Sequence, residues 1–319
     1  MPADRKPLDA TAFGLMTLLC VVWGFQQVTI KVAAPDVSLV MQAGIRSIIA
    51  TLLVMAWARL RGIALFGRDA TLVPGLAAGA MFAGEFAFIY AGLAHTTASR
   101  MAVFIYLTPC LTALLLPAFV PSERLQPRQW AGVLLAFGGI VAAFAEGFSS
   151  GGGGTLRGDL YGVAAAVLWA ATIVVMRATK LAYTPATKTL FYQLGVSALV
   201  LPLVSVAMGE PGVVRVTPLV VTILAFQGVI VAFATYLAWF WLLTKYFAAR
   251  LSAFTFMSPL FGVAFGAALL AEPLTPAFVA AALAVAGGIV LVNLPARAAA
   301  AQVQRNSEFP SQSTKSGRR

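Results

Sequence analysis

Two charges lie where the surrounding sequence is almost wholly apolar. Arg46 falls within the run 38–57 and Glu85 within the run 72–92, about nine and about seven residues from the nearer end. An Arg at the centre of a helix in lipid costs about 2.5–3.5 kcal/mol on an insertion scale, and a Glu should cost a comparable amount. Both side chains must therefore face a bundle interior or water. Arg46 could take a carboxylate or another anion, and Glu85 a cation or a proton. The two could equally pair with each other as a structural ion pair, and such a pair is weak evidence for stability. Both readings stand on the sequence alone.

Amides and aromatics add binding chemistry. Gln26 and Gln27 carry side-chain amides into the run 11–30, where lipid satisfies none of their hydrogen-bonding sites. Gln193 and Gln227 raise the same question more weakly. Phe82, Phe86 and Tyr90 recur every four residues, and Phe233, Tyr236 and Phe240 at three and four, so each trio lies on one helical face. Such stripes pack a core or line a cavity. Pro109 and Pro259 sit inside apolar runs, where each removes a backbone hydrogen bond. They are candidate hinges, and Thr108 and Ser258 beside them can help satisfy the freed carbonyls.

Other chemistries are missing. Gly151–Gly154 is not followed by Lys-Ser, and there is no phosphate-binding loop, zinc constellation or nucleophile–base arrangement. Cys20 and Cys110 lie in apolar runs and read as small buried hydrophobes, and His95 reads as incidental. No metal and no cofactor are expected.

The elements that hold these residues are membrane helices. Sixty per cent of the 319 residues are hydrophobic and 10% are charged, against about 25% charged in a soluble domain. Ten apolar runs are long enough to span: 11–30, 38–57, 72–92, 99–118, 128–146, 158–176, 188–207, 218–241, 251–270 and 276–294. The net charge is +11, with no nucleic-acid-binding motif to use it. With the N-terminus inside, 17 of the 22 Lys and Arg fall in inner segments and 4 in outer ones, Arg46 being within a span. That asymmetry places both termini in the cytoplasm and the chain in the inner (plasma) membrane.

The chain also repeats itself. Ala98, Arg100, Phe104 and Pro109 match Ala248, Arg250, Phe254 and Pro259 at an offset of 150. Glu123, Leu125 and Pro127 match Glu272, Leu274 and Pro276 at 149, as Gly138-Gly139 matches Gly287-Gly288. Trp23 matches Trp169, and Lys31 matches Arg177, at 146. Five spans per half is odd, so the second half crosses in the opposite sense. The expected fold is an all-α integral membrane protein of ten transmembrane helices in two inverted five-helix repeats. Its parts are 1–146, a Gly-rich linker at 147–157, 158–294, and a disordered basic tail at 295–319.

The run Trp23-Gly24-Phe-Gln-Gln-Val-Thr-Ile-Lys31 resembles the first-helix signature of the drug/metabolite transporter superfamily, EamA branch. Arg46, the Thr108-Pro109 and Ser258-Pro259 turns, and the Glu-x-Leu-x-Pro segments followed by Gly-Gly resemble it too. The family's usual Ser-Asn after Trp-Gly is replaced by Phe25-Gln26. The resemblance implies a central cavity and secondary export of small organic solutes such as amino acids, related metabolites or drugs. With the stripes and the repeat it selects Trp23, Gln26, Gln27, Arg46, Glu85, Phe86, Tyr90, Phe104, Trp169, Tyr236 and Phe254 as substrate-binding candidates. Expected partners are a small-molecule substrate, the lipid bilayer and protons as coupling ion, in a monomer or homodimer. An intramembrane enzyme is the alternative, although it would need paired acids or metal ligands at one depth and Glu85 is the sole deep acid. A sensor without transport activity is the other, although spans 8 to 10 hold no Lys in their cores to carry retinal.

Overall fold

The computed structural model describes residues 7–67, 69–93, 95–96, 98–145, 155–270 and 276–294. The Gly-rich stretch 147–154, the tail from 295, and Glu272 and Leu274 lie outside the described residues. Helices run in the order α1 (Ala10–Ala33), α2 (Leu39–Leu60), α3 (Leu72–Leu93), α4 (Ala98–Ile105), α5 (Thr108–Phe119), α6 (Pro127–Ala143), α7 (Leu156–Ala178), α8 (Ala186–Ala207) and α9 (Pro218–Ala225). A π-helical segment, Phe226–Thr235, leads into α10 (Tyr236–Lys245), followed by α11 (Ala248–Phe254), α12 (Met257–Leu270) and α13 (Pro276–Asn293). Among the described residues no strand forms, and Val37 and Val213 make one isolated antiparallel bridge.

Eight spans are long and apolar enough to cross a membrane, with the shorter apolar stretch Val279–Asn293 in addition and α6 at 17 residues. Leu52, Leu134, Leu199 and Leu283 are all more than half exposed, which is tolerable only where the solvent is hydrocarbon. The chain is a multi-pass membrane protein.

Local sequence sets the helix ends. Asp9 caps α1 by accepting from Ala12 N at 3.0 Å, and Thr155 and Thr217 cap α7 and α9 in the same way. The two candidate hinge prolines end up in the first turn of a new helix, whereas Pro117 and Pro202 lie inside helices. Pro109 starts α5 after a break from α4, and Pro259 starts α12 after a break from α11. Proline is tolerated there because first-turn amides have no partner anyway. Thr108 Oγ1 donates to Ile105 O at 2.7 Å across the first break. At the second, Thr255 does this work for Ser252 O, also at 2.7 Å.

The helices meet in pairs: α1 with α12, α2 with α8, α3 with α7, α5 with α7, α6 with α13, and the π segment with α2. Small residues allow the close approaches. A Cβ on Gly24 would lie 2.5 Å from Phe261 Cβ, and one on Gly288 would lie 2.5 Å from Gly132 O. Of the two Gly-Gly pairs, only the second glycine of each touches the neighbouring helix backbone. Gly138 has nothing within 4 Å, and the nearest atom to a Cβ on Gly287 is a Leu135 methyl at 3.7 Å.

Candidate functional site

The helix packing leaves a cavity of about 860 Å³ between the first and second halves of the chain. That volume falls in the range of about 300–1,000 Å³ typical of small-molecule sites. It reaches Lys31 and Ala34 at the end of α1, Leu39 at the start of α2, and Leu93 at the end of α3. Its walls are mostly aromatic and apolar, with a few convergent polar groups.

Arg46 on α2 and Glu85 on α3 both line this cavity while being only 3% and 5% exposed. They do not form an ion pair: among the described residues no nitrogen–oxygen approach within 4.0 Å and no hydrogen bond involves either. Glu85 Oε2 is buried without a hydrogen-bond partner. The Arg46 guanidinium instead lies over the Phe86 ring, 4.5 Å from its centroid. Cation–π contact of this kind is worth about 2 kcal/mol when desolvated, and it leaves the N–H donors of the guanidinium to other acceptors. One guanidinium and one carboxyl are thus held at depth in a shared space, each with unfilled hydrogen-bonding capacity.

Around them the lining side chains contact one another. Trp23 Nε1 donates to Thr235 Oγ1 at 2.8 Å, and Thr235 donates to Val231 O at 2.6 Å. Trp23 meets the rings of Tyr236 and Trp239 edge-on at 6.3 and 5.9 Å. Phe82 meets Phe86 and Tyr236 edge-on, and Phe86 stacks on Tyr90. Gln227, on the π segment, donates to Gln42 Oε1 at 3.1 Å, while Gln42 Nε2 donates to Val37 O at 2.9 Å. This buried amide network ties the π segment to α2. The π register also turns Phe233 away from the cavity onto Trp57, so the stripe read from Phe233, Tyr236 and Phe240 loses its first member.

At the opposite end of the bundle the helices are tied together. Arg177 at the end of α7 pairs with Glu123 and donates to Leu243 O at 2.9 Å, and Ala249 N donates to Glu123 Oε2 at 3.5 Å. Glu123 is thus an inter-helix partner as well as a turn residue. Tyr246 donates to Asp9 at 2.9 Å, and Lys188 donates to Asp69 at 2.6 Å. The hydrogen bonds from Lys188 and Thr71 push the Asp69 carboxyl down to about 2. Asp69 therefore stays ionised at physiological pH and carries no proton there.

Of the candidates named from the sequence, the structure brings Trp23, Gln26, Gln27, Arg46, Glu85, Phe86, Tyr90, Trp169 and Tyr236 to this one cavity, and Pro259 with them. Phe104 and Phe254 are not part of the lining. Phe104 packs over Gly162, and Phe254, at 1% exposure, sits edge-on against Phe13 at 4.8 Å. Pro109 is buried behind the lining. Tyr106, Thr172 and Met176 line the cavity without having been singled out. The offset of 150 that pairs Phe104 with Phe254 also pairs Tyr106 with Phe256, and those two rings do meet, at 6.4 Å. Trp239, which an interfacial belt would explain, lines the cavity, whereas its neighbour Trp241 is 42% exposed.

Among the described residues the protein is an all-helical membrane bundle around a polar-centred cavity of a size that suits a small solute. Residues 11–145 and 156–294 match the EamA-like transporter family, and the chain belongs to that family. It is 28% identical over 287 residues to a probable amino-acid metabolite efflux pump of Salmonella typhimurium, covering 87% of this chain and 93% of that protein. An Escherichia coli protein of the same description is 26% identical over 274 residues, covering 82% and 87%. An uncharacterized transporter of Bacillus subtilis is 26% identical over 297 residues, covering 92% and 95%. A solved crystal structure with 20% identity superposes with a TM-score of 0.75, over 95% of this chain and all of that one, which shows the shared fold.

Proposed function

We propose that this protein is a secondary exporter of amino acids and related small metabolites, working by alternating access across the inner membrane. The observation that carries this is the cavity between the halves, with Arg46 and Glu85 unpaired at its depth. Descriptions of the Salmonella and Escherichia relatives as amino-acid metabolite efflux pumps point the same way. The proposed substrate contacts are Arg46, Glu85, Gln26, Gln27, Trp23, Phe86, Tyr90, Trp169 and Tyr236.

The architecture proposed is ten spans in two inverted repeats, 1–146 and 158–294, with both termini cytoplasmic. Pairing of spans supports it. Number the ten runs in chain order and exchange each of the first five for its counterpart in the second five. Contact of spans 1 and 9 then becomes contact of 6 and 4, and contact of 2 and 8 becomes that of 7 and 3. Contacts 2–7 and 5–10 map onto themselves, and all of these are found. The same exchange relates the two half-helix breaks at Pro109 and Pro259. In this orientation the cavity extends toward the outer face, and the Glu123–Arg177 tie closes the inner end.

Glu85 is the proposed proton carrier. A carboxyl at depth with no fixed partner can be neutral in one state of the cycle and ionised in another. Arg46, Tyr90, Tyr106 and Tyr236 are the titratable side chains sharing its surroundings. In proteoliposomes, the wild type should show saturable counterflow and follow an imposed pH gradient. Glu85→Gln should carry solute only down the solute's own gradient. A Gln variant whose flux still follows the pH gradient would remove Glu85 from proton coupling.

A further inference from the structure

We propose that Arg46 and Glu85 act together as a two-point clamp for a zwitterion, Arg46 taking the carboxylate and Glu85 the ammonium of an α-amino acid with an apolar or aromatic side chain. The inference rests on the carrier reading only for where the ligand goes afterwards, since the clamp is a property of the cavity itself. Among the described residues three charged side chains line that cavity: Lys31 at its mouth, and Arg46 and Glu85 at depth.

The two deep groups are buried to better than nine-tenths, sit on adjacent helices, and stay farther apart than a direct ion pair allows. A bare cation in the cavity would satisfy Glu85 and leave Arg46 facing a second positive charge. A bare anion would do the reverse. With Glu85 ionised, a ligand bearing both charges, set apart from each other, satisfies both residues and leaves the site neutral. Phe86 contributes by fixing one face of the guanidinium at 4.5 Å, so that its N–H edge is free for the two oxygens of a carboxylate. The Glu85 carboxyl lines the cavity and has no hydrogen-bond partner at Oε2, so this carboxyl is the acceptor offered to an ammonium. Beyond the charges the walls offer Trp23, Tyr236 and Trp239 in fixed edge-on contact, a surface for apolar bulk rather than for a third charge.

The test uses the purified full-length protein and three probes on one scaffold: L-phenylalanine, 2-phenylethylamine without the carboxylate, and 3-phenylpropionate without the amine. Trp23, Trp169 and Trp239 line the cavity, so quenching of intrinsic fluorescence reads occupancy directly. The wild type should bind L-phenylalanine about tenfold or more tightly than either single-charge probe. Its methyl ester should fall to the level of the amine. Arg46→Gln should erase the preference for L-phenylalanine over the amine while keeping that over the acid, and Glu85→Gln should do the opposite. The wild-type ranking needs no variant to fold, and it overturns the clamp if L-phenylalanine binds no better than the amine or the acid, or not at all. Counterflow in liposomes judges the carrier reading separately. Counterflow together with equal affinity for the three probes overturns the clamp and leaves the carrier. A zwitterion preference without counterflow upholds the clamp and overturns the carrier.

Discussion

Glu123 and Arg177, 0% and 2% exposed at their side chains, hold one end of the bundle shut. Removing one partner of a buried pair strands the other charge, at a cost of about 3–5 kcal/mol. Glu123→Gln alone should therefore lower the unfolding temperature in detergent markedly. The double variant Glu123→Gln/Arg177→Gln should recover part of that loss, because no lone charge remains. A double variant as unstable as the sum of both singles would show that the pair acts through something other than its charges. At this scale the sequence is legible where lipid makes a residue expensive. Arg46 and Glu85 stand out for that reason. The Glu123–Arg177 contact does not, because its partners are 54 residues apart and each lies at a helix end, where charges are ordinary. Nor does sequence say that Arg46 and Glu85 stay unpaired: that depends on a few ångströms of helix placement.

Helices α6 and α13 approach until backbone meets backbone at Gly132 and Gly288. Gly288→Ala should cost about 1–3 kcal/mol of stability, since a methyl there meets a carbonyl oxygen and neighbouring backbone. Gly287→Ala, facing only Leu135 at 3.7 Å, should stay within about 0.5 kcal/mol. Thermal unfolding of the two variants checks the contrast, and equal losses would deny the close approach. The helix breaks make a second case at this scale. If the α4–α5 and α11–α12 breaks flex during transport, Pro109→Ala and Pro259→Ala should close them and slow turnover, while binding changes little. Unchanged counterflow rates in both variants would make the breaks static. Run limits were readable because apolar length is a strong signal, and the breaks because Thr-Pro and Ser-Pro interrupt it. The π segment was not readable: Phe226–Thr235 is uniformly apolar apart from Gln227 and Thr235, and nothing in such a run distinguishes a wider turn from an ordinary one.

The whole molecule is ordered by where its Lys and Arg fall. With 17 of 22 in the proposed inner segments, a reporter fused after Arg319 should be cytoplasmic and one inserted at Gly152 external. Finding both on one side would remove the inverted repeat, since five spans per half requires opposite faces. Asp9 near the N-terminus meets Tyr246 at the end of α10, so these two segments share one end of the bundle. The proposed repeat rests on Trp, Pro, Glu and Gly positions, which seldom align by chance in lipid-facing sequence. The cavity followed from it only in outline, and which aromatic of each matched stretch faces inward depended on register that the offsets alone do not carry.

Under the proposed alternating access, the π segment bears on the balance between the two faces. Under the proposed repeat, span 3 has 22 residues and its counterpart, span 8, has 28, and the offset between halves moves from 146 before these spans to 150 after them. Two identical inverted halves would make the inward- and outward-open conformations mirror each other in energy, each half populated when the protein is empty. A longer, locally widened span in one half alone removes that degeneracy. The empty protein should therefore have a resting side even without solute or gradient.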